Sequence, residues 1–408
     1  MFKKNRILSG VLMVALCTGL LAGCGKNATN TNNAESDSET TASLAQGDKN
    51  MVAAAEDASN QKYSVVCTIF PEYDWAREVI GELADEYEMT LLLDNGVDLH
   101  NYQPTADDIA KIADCDLFIY VGGESDGWVR DALKESTNED MQVINLLEVL
   151  GDSVKEEELV EGMQESEHEH EHDEAHDEAH DEEHDEAHDE AHDEEHDEAH
   201  DEAHDETHDE EHDEAHDEAH DEEHEHGEEI EYDEHVWLSL KNAQTLVSAI
   251  TDSLKVIDSA NADIYQANCD QYNAKLAALD KDYENAVAKA SQNTILFGDR
   301  FPFRYLADDY ALDYYAAFVG CSAETEASFE TVIFLAEKVD ELGLKHVLVI
   351  ENSDQKIAET VVQSTKSKDQ EILVLNSLQS VTTEDMENGV TYFSVMQDNL
   401  EVLTKALD

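Results

Sequence analysis

The sequence predicts an α/β fold: two lobes with mostly parallel sheets flanked by helices, bridged by one long helix. Two observations support this prediction. Short apolar runs rich in β-branched residues alternate with helical segments on both sides of an acidic, histidine-rich tract, and such alternation is typical of parallel sheets. Between the two groups of strands, residues 262–291 are predicted to form one long helix.

The first group of elements begins with a run from Tyr63 to Phe70 that is typical of a strand buried on both faces. Thr105 precedes a helical pattern and has Asp108 three residues later, which places Thr105 at a helix N-cap. The other elements of this group are predicted as helices over 74–87 and 105–113 and as strands over 89–93, 117–121 and 142–146.

The second group follows the tract and is predicted to contain helices over 238–257 and 262–291 and strands over 294–297, 314–319, 346–350 and 372–375. Neither group contains the glycine-rich patterns GxGxxG or GxxxxGK[ST]. Nucleotide binding therefore has no support in the sequence.

The chain is strongly acidic, with 99 Asp and Glu against 24 Lys and Arg and a formal net charge of −75 over 408 residues. Residues 167–226 alone hold 34 acidic residues, 17 histidines and no lysine or arginine. Such a charge disfavours nucleic acids and anionic lipid surfaces as partners and favours small cations.

The tract carries a histidine at almost every fourth residue and is predicted to be a disordered, self-repelling loop over 165–229. Because imidazole nitrogen suits Zn²⁺, Cu²⁺ and Ni²⁺, the loop is predicted to collect metal at several moderate sites. The HExxH pattern at 168–172 matches a metalloprotease signature, but this repeat makes such a match nearly unavoidable, and no enzyme is predicted. The metal-collecting histidines are His168, His170, His172, His176, His180, His184, His188, His192, His196, His200, His204, His208, His212, His216, His220, His224 and His226.

The first residues have the pattern of an exported lipoprotein. A basic segment precedes the apolar stretch Ile7–Leu21, and Leu21–Cys24 is similar to a bacterial lipobox. We therefore predict a signal peptide over 1–23, a lipid on Cys24 that holds the protein to the bacterial cell membrane, and a flexible tether over 24–61 outside the cytoplasm. That setting permits disulfides, and the sequence leaves open whether the remaining cysteines pair or stay as buried thiols: Cys67, Cys115, Cys269 and Cys321.

Two histidines outside the tract lie in ordered contexts. His100 lies within Gly96–Asp108, between a strand and the capped helix, and His235 lies within Asp233–Ser239, just before another helix. Together with three further motifs, these segments resemble the zinc-uptake ABC-transporter solute-binding lipoproteins, a metal-binding family whose two lobes are bridged by a rigid helix. The three further motifs are Val65–Pro71, Glu324–Ser328 and Val349–Ser353.

The resemblance implies that His100 and His235 coordinate Zn²⁺ from the first lobe. It also implies a third ligand at the position of Gly298, which has no side chain, and a late carboxylate where this chain has Asn376. Asp299 and Glu351 are candidate replacements, alongside water, Asn376 or a loop histidine.

The function that the resemblance implies is a monomeric receptor that captures Zn²⁺ in an inter-lobe cleft and delivers it to an ABC permease and its ATPase. Cell adhesion is a further role known in the family. The expected boundaries are 62–260 for the first lobe, 261–292 for the bridging helix and 293–408 for the second lobe. Two alternatives remain: a surface zinc buffer or metallochaperone that uses the loop, and a manganese or iron receptor of the same fold. Harder ions favour carboxylates, so the histidine pair argues for zinc.

Overall fold

The computed structural model describes residues 62–164, 231–322 and 326–408. The predicted signal peptide, Cys24, the tether and the histidine-rich loop lie outside the described residues. No helix in the described ranges is long and apolar enough to span a bilayer.

The first half of the fold is a four-stranded parallel sheet with the strand order β2-β1-β3-β4. Its strands are β1 Tyr63–Cys67, β2 Tyr87–Leu91, β3 Leu117–Tyr120 and β4 Gln142–Asn145. The helices that follow successive strands are α1 Phe70–Ile80, α2 Ala106–Asp114, α3 Val129–Ala132 and α4 Leu146–Leu150.

The helix predicted over 74–87 was misplaced, because α1 begins at Phe70 and ends at Ile80. Glu72 fixes its start, since one carboxylate oxygen accepts hydrogen bonds from Thr68 N at 2.8 Å and Ile69 N at 3.2 Å. Gly81 fixes its end with a φ of 56°, a conformation that favours glycine. The chain then makes a 3₁₀ segment before β2 begins at Tyr87.

Two long helices follow the tract, α5 Leu240–Ile257 and α6 Ala262–Val287. The buried side chains of α6 recur every three or four residues and define one face of the helix. This helix packs against α1 and α5 of the first half and also against the last helix of the chain. The Tyr283 hydroxyl donates to Met396 O at 2.6 Å in that last contact. A long bridging helix was predicted, and this helix contacts both halves, although it ends four residues earlier than expected.

The second half contains short parallel pairs, β5–β7, β6–β8 and β9–β10, and a bridge between Phe297 and Leu348 joins the first of these pairs to the last. The strands are β5 Thr294–Leu296, β6 Arg300–Phe301, β7 Asp313–Tyr315, β8 Phe318–Val319, β9 His346–Val349 and β10 Glu371–Val374. The helices are α7 Arg304–Asp309, α8 Phe329–Leu342, α9 Lys356–Ser364, α10 Thr383–Glu387 and α11 Tyr392–Ala406.

The single strand predicted over 314–319 is in fact two strands, β7 and β8, separated by two alanines. The partner segment is interrupted as well, because Gly298 N turns away to donate to Leu348 O at 2.9 Å. Ala317 N donates to Asp299 O at 3.0 Å across this break. The break leaves the segment after β8 free to turn toward the first half of the fold.

Candidate metal centre

Two of the predicted site residues lie in contact. The Nε2 atoms of His100 and His235 are 3.3 Å apart, although 135 positions separate these residues in the chain. His235 is fully buried and the His100 side chain is 8% exposed. His100 lies on a 3₁₀ turn after β2, and His235 lies on the turn that leads into α5.

Local hydrogen bonds fix the orientation of His100. Asp98 begins the turn, and its side chain accepts the backbone N–H of His100 at 3.1 Å. The Nδ1 atom of the ring lies 2.8 Å from Ser125 Oγ and 3.4 Å from Glu234 Oε2. Because the Ser125 hydroxyl also hydrogen-bonds the Glu234 carboxylate, which accepts its proton, the hydroxyl oxygen accepts from the ring, and the proton of the neutral ring is assigned to Nδ1. Nε2 then carries the free lone pair.

A carboxylate fixes His235 in the same way. One oxygen of Asp233 accepts both the backbone N–H of His235 at 2.8 Å and its ring Nδ1 at 3.0 Å. The ring is also enclosed by Trp237, with centroids 5.2 Å apart, and by the backbone at Gly320. A Cβ atom at Gly320 would lie 3.1 Å from Cε1 of the imidazole. Carboxylates that hold Nδ1–H are the usual outer partners of metal-binding histidines.

The two free lone pairs therefore face each other. Two nitrogen ligands about 2.0–2.1 Å from a tetrahedral Zn²⁺ are about 3.3–3.4 Å apart, and the observed separation is 3.3 Å. Burial, followed by the charge of His235, lowers the pKa of His100 to about 3. The His100 ring is therefore neutral at physiological pH, which is the form that binds metal.

A buried amide from the second half of the fold points at the same place. Gln379 is oriented by its hydrogen bonds, with its nitrogen donating to the Asp98 carboxylate at 3.1 Å and its oxygen accepting from Ser377 Oγ at 3.3 Å. The same oxygen accepts from Nε2 of His235 at 3.2 Å when that nitrogen carries a proton, which a bound metal ion would replace. Nε2 of His235 thus lies 3.2 Å from the amide oxygen and 3.3 Å from Nε2 of His100. Such a group of acceptors attracts a cation.

Cys321 is a potential metal ligand that the sequence analysis did not select. Its Sγ and one ring nitrogen of each histidine all lie within 4.8 Å of one another. Its backbone N–H donates to Glu157 Oε1 at 3.0 Å. Burial, followed by the charges of Asp233 and Glu157, raises the pKa of the thiol well above its usual value. The signal available in the sequence was a cysteine two residues after a short apolar strand, in the loop at the strand's carboxyl end.

The two candidate carboxylates do not belong to the group of ligand atoms that the structure brings together among the described residues. Glu351 instead accepts hydrogen bonds from Ser377 N at 2.6 Å, Ser377 Oγ at 2.7 Å and Gln379 N at 3.2 Å. It shapes the turn that carries Gln379. Asp299 accepts from Arg300 N at 2.9 Å, and its other oxygen is buried without a hydrogen-bond partner among the described residues.

The structure also explains why position 298 has no ligand side chain. A Cβ atom at Gly298 would lie 2.5 Å from the Cα of Ala358 in α9. The helix backbone therefore occupies the space that a histidine would need. Asn376 is likewise engaged in local structure, because its side-chain oxygen accepts from Leu378 N at 2.8 Å.

An ion pair joins the two halves of the fold beside the histidines, between Arg300 of β6 and Asp98 of the His100 turn. Burial favours the neutral form of Asp98, but the charge of Arg300, together with the hydrogen bonds from Arg300 and from the backbone N–H of His100, outweighs it and holds the pKa of this carboxyl below its usual value. The pair stays ionised and holds the halves together at the site.

A cavity of about 270 Å³ opens next to the histidines and is lined mainly by acidic side chains. Its walls include Glu124, Glu157 and Glu231 as well as His100 and Cys321. The segments that flank the histidine-rich tract pair here, with Glu157 N donating to Glu231 O at 2.9 Å. The described ends of the tract therefore line the approach to the site.

The family model described as zinc-uptake complex component A, periplasmic (ZnuA), matches residues 65–406. Zinc-binding protein AdcA of Streptococcus pyogenes serotype M6 is 28% identical over 370 residues, which is 88% of this chain and 58% of AdcA. The chain thus spans little more than half the length of that relative. The high-affinity zinc uptake system protein ZnuA of Bacillus subtilis is 27% identical over 407 residues, covering 100% of this chain and 99% of its own.

Solved structures share the fold. The Zn(II)-bound ZnuA-like domain of Streptococcus pneumoniae AdcA is 26% identical, with a TM-score of 0.56, and the match covers 85% of this chain and 99% of that domain. The laminin-binding protein of Streptococcus agalactiae, described as an adhesin with metal-transporting activity, has a TM-score of 0.57 at 19% identity, covering 85% of this chain and 100% of its own. That second likeness concerns the fold. The predicted α/β architecture is confirmed by these structures, and the chain belongs to the zinc-uptake component A family of solute-binding proteins, so it is a binding protein and not an enzyme.

Proposed function

We propose that this protein captures Zn²⁺ at the His100–His235 pair and delivers it, outside the cytoplasm, to an ABC permease and its ATPase. One observation carries the proposal: two buried imidazoles place their Nε2 atoms 3.3 Å apart, with Nδ1 held by the Ser125 hydroxyl in His100 and by the Asp233 carboxylate in His235. That arrangement suits a tetrahedral cation with nitrogen ligands.

The donors favour zinc over harder ions. Imidazole nitrogen suits Zn²⁺, whereas Mn²⁺ prefers carboxylate and water oxygens. Asp98 pairs with Arg300, Asp233 hydrogen-bonds the His235 ring, and Glu234 lies on the Nδ1 side of His100, outside the group of ligand atoms that the described residues bring together. Carboxylates therefore orient the ligands in this site, and the metal ion would be bound by softer atoms such as the imidazole nitrogens.

Capture and release follow from the position of the site between the halves. His100 and His235 come from segments packed on the first sheet, whereas Gln379 and Cys321 come from the second half. A metal ion bound by both groups would stabilise the closed arrangement that the Arg300–Asp98 pair also holds. Separation of the halves at a permease would remove part of the ligand set and release the ion.

The histidine-rich loop at 165–229 would raise the local zinc concentration, and the lipid on Cys24 would keep the monomeric receptor at the membrane. The acidic cavity at the described ends of the tract supports this role, because Glu124, Glu157 and Glu231 attract cations to the approach. Zinc would then pass from the many weak sites of the loop to the one ordered site at the histidine pair.

The test is a zinc titration, with manganese as competitor, of a variant in which residues 165–229 are replaced by a short Gly/Ser linker. We expect one site tighter than micromolar that is lost in His100→Ala and in His235→Ala. His346→Ala is the matched control, because His346 begins β9 next to Glu371 and takes no part in the cluster.

Binding no tighter than about micromolar in the loop-deleted variant (a free energy near −8.2 kcal/mol) would refute the receptor. If zinc binding then survives only in the chain that keeps the loop, the protein is a loop-based zinc buffer. Preference for manganese over zinc would instead indicate the manganese receptor of the same fold.

A further inference from the structure

We infer that Cys321 supplies a thiolate ligand to the metal held by His100 and His235. The inference rests on the proposed function and extends it by naming the atom that replaces the side chain missing at Gly298. Its basis is the convergence of one thiol and two imidazoles, within 4.8 Å of one another, from segments far apart in the chain.

The distances are close to those of a coordinated site. With Zn–S near 2.3 Å and Zn–N near 2.0–2.1 Å, a tetrahedral ion holds sulfur about 3.6 Å from each nitrogen. Cys321 Sγ already lies within 4.8 Å of one ring nitrogen of each histidine. The sulfur therefore has to approach by about 1.2 Å at most, which a change of the cysteine rotamer can supply.

The backbone around Cys321 holds it against the histidines. Gly320 packs directly on the His235 ring, since a Cβ atom there would lie 3.1 Å from Cε1 and 3.2 Å from Nδ1. The next residue is Cys321, and its N–H is fixed by the Glu157 carboxylate at 3.0 Å. The thiol thus sits beside the imidazole because of two contacts that do not involve the sulfur.

The other described cysteines differ in their surroundings. Cys67, Cys115 and Cys269 are buried free thiols, and none belongs to a group of three or more potential metal ligands among the described residues. Cys67 and Cys269 pack in the apolar core, where a cysteine behaves as a small hydrophobic residue. Only Cys321, within the described ranges, combines a thiol with metal ligands, and it lines a cavity.

A thiolate would change the selectivity of the site. Sulfur is a soft ligand that suits Zn²⁺ and is a poor ligand for Mn²⁺. Coordination removes the thiol proton outright, so the ion receives one negative charge that the two neutral imidazoles do not provide. The donor set N₂S, with the Gln379 oxygen nearby, would therefore discriminate against manganese without a carboxylate ligand.

The experiment uses the full chain loaded with one equivalent of Co²⁺, whose thiolate complexes show a sulfur-to-cobalt charge-transfer band in the near ultraviolet. The histidine-rich tract contains no cysteine and cannot produce this band. X-ray absorption on the zinc-loaded chain gives a second readout that needs no variant, namely a sulfur scatterer at about 2.3 Å. Cys321→Ser is compared with Cys269→Ser, a cysteine on the core face of α6.

We expect the band in the full chain and in Cys269→Ser and its loss in Cys321→Ser, with zinc affinity reduced at least about tenfold, the lower end of what an outer hydrogen-bond partner costs. The ratio of zinc to manganese affinity should fall in the same variant. Metal binding that depends on His100 but shows neither the band nor the sulfur scatterer would overturn the role of Cys321 and leave the receptor standing. Absence of any His100-dependent binding would overturn both.

Discussion

Asp233 is expected to set the zinc affinity although it does not touch the metal. Its carboxylate is 2% exposed, and one oxygen accepts both the backbone N–H and the ring Nδ1–H of His235. In Asp233→Asn the amide oxygen can still accept from Nδ1, so the ring orientation survives while the negative charge is lost. In Asp233→Ala both are lost.

The expected losses follow from these contacts. Changing an outer partner of a metal-bound histidine costs about 10- to 100-fold in affinity, or about 1.4–2.7 kcal/mol. A charge-assisted hydrogen bond of about 1.5–3 kcal/mol accounts for that range. We place Asp233→Asn near the lower limit and Asp233→Ala near the upper limit.

The assay is competition for zinc against a chromophoric chelator in the loop-deleted background, with thermal unfolding of each variant measured in parallel. Asp152→Asn, at an exposed position in the first half, is the control. The reasoning is refuted if Asp233→Asn and Asp233→Ala bind zinc as tightly as the parent while both remain folded.

Three further outcomes are expected. Arg300→Gln removes the ion pair with Asp98 that joins the halves and should speed zinc dissociation roughly 5- to 30-fold, equivalent to 1–2 kcal/mol; an unchanged stopped-flow rate would contradict this. Burial raises the pKa of Asp126 to about 7, so the folded state holds this proton more tightly than the unfolded chain, and stability should fall as pH rises from about 4 to about 7. Asp126→Asn should lack that part of the decline in the free energy of unfolding, measured by urea unfolding at each pH. A pH profile identical to that of the parent protein would contradict this prediction. Leu276→Ala empties a fully buried position on α6 and should cost about 2–5 kcal/mol of unfolding free energy, whereas a loss well below that range would contradict close packing of the α6 core face at this position.

Much of the fold is predictable because its signals are local. The β-branched run at the start of the folded region is buried strand β1, and the Thr105 cap begins α2 with its side chain accepting from Asp108 N. Such patterns depend on neighbours within a few residues, where steric and hydrogen-bonding preferences act. The error at α1 is of the same local kind, because Pro71 and the Glu72 hydrogen bonds begin the helix earlier than hydrophobic periodicity indicates.

The residues of the candidate site were likewise predictable only where they lie in local sequence motifs. His100 and His235 could be selected from their motifs, and the structure brings their Nε2 atoms to 3.3 Å; their role as zinc ligands stays a prediction. Glu351 and Asp299 were named as candidate replacements for the missing ligands, and in the structure Glu351 accepts hydrogen bonds from the 377–379 turn instead.

Sequence alone thus determined the α/β class, the long helix, the acidic histidine-rich tract and the choice of the histidine pair, because each depends on short-range pattern or composition. Only the tertiary structure decided which atoms complete the site. The backbone of Ala358 occupies the space that a side chain at position 298 would need. The packing of the second half on the first places Cys321 and Gln379 beside the histidines. No local sequence pattern predicts these contacts, because they depend on how separate strands and helices bury their apolar faces together.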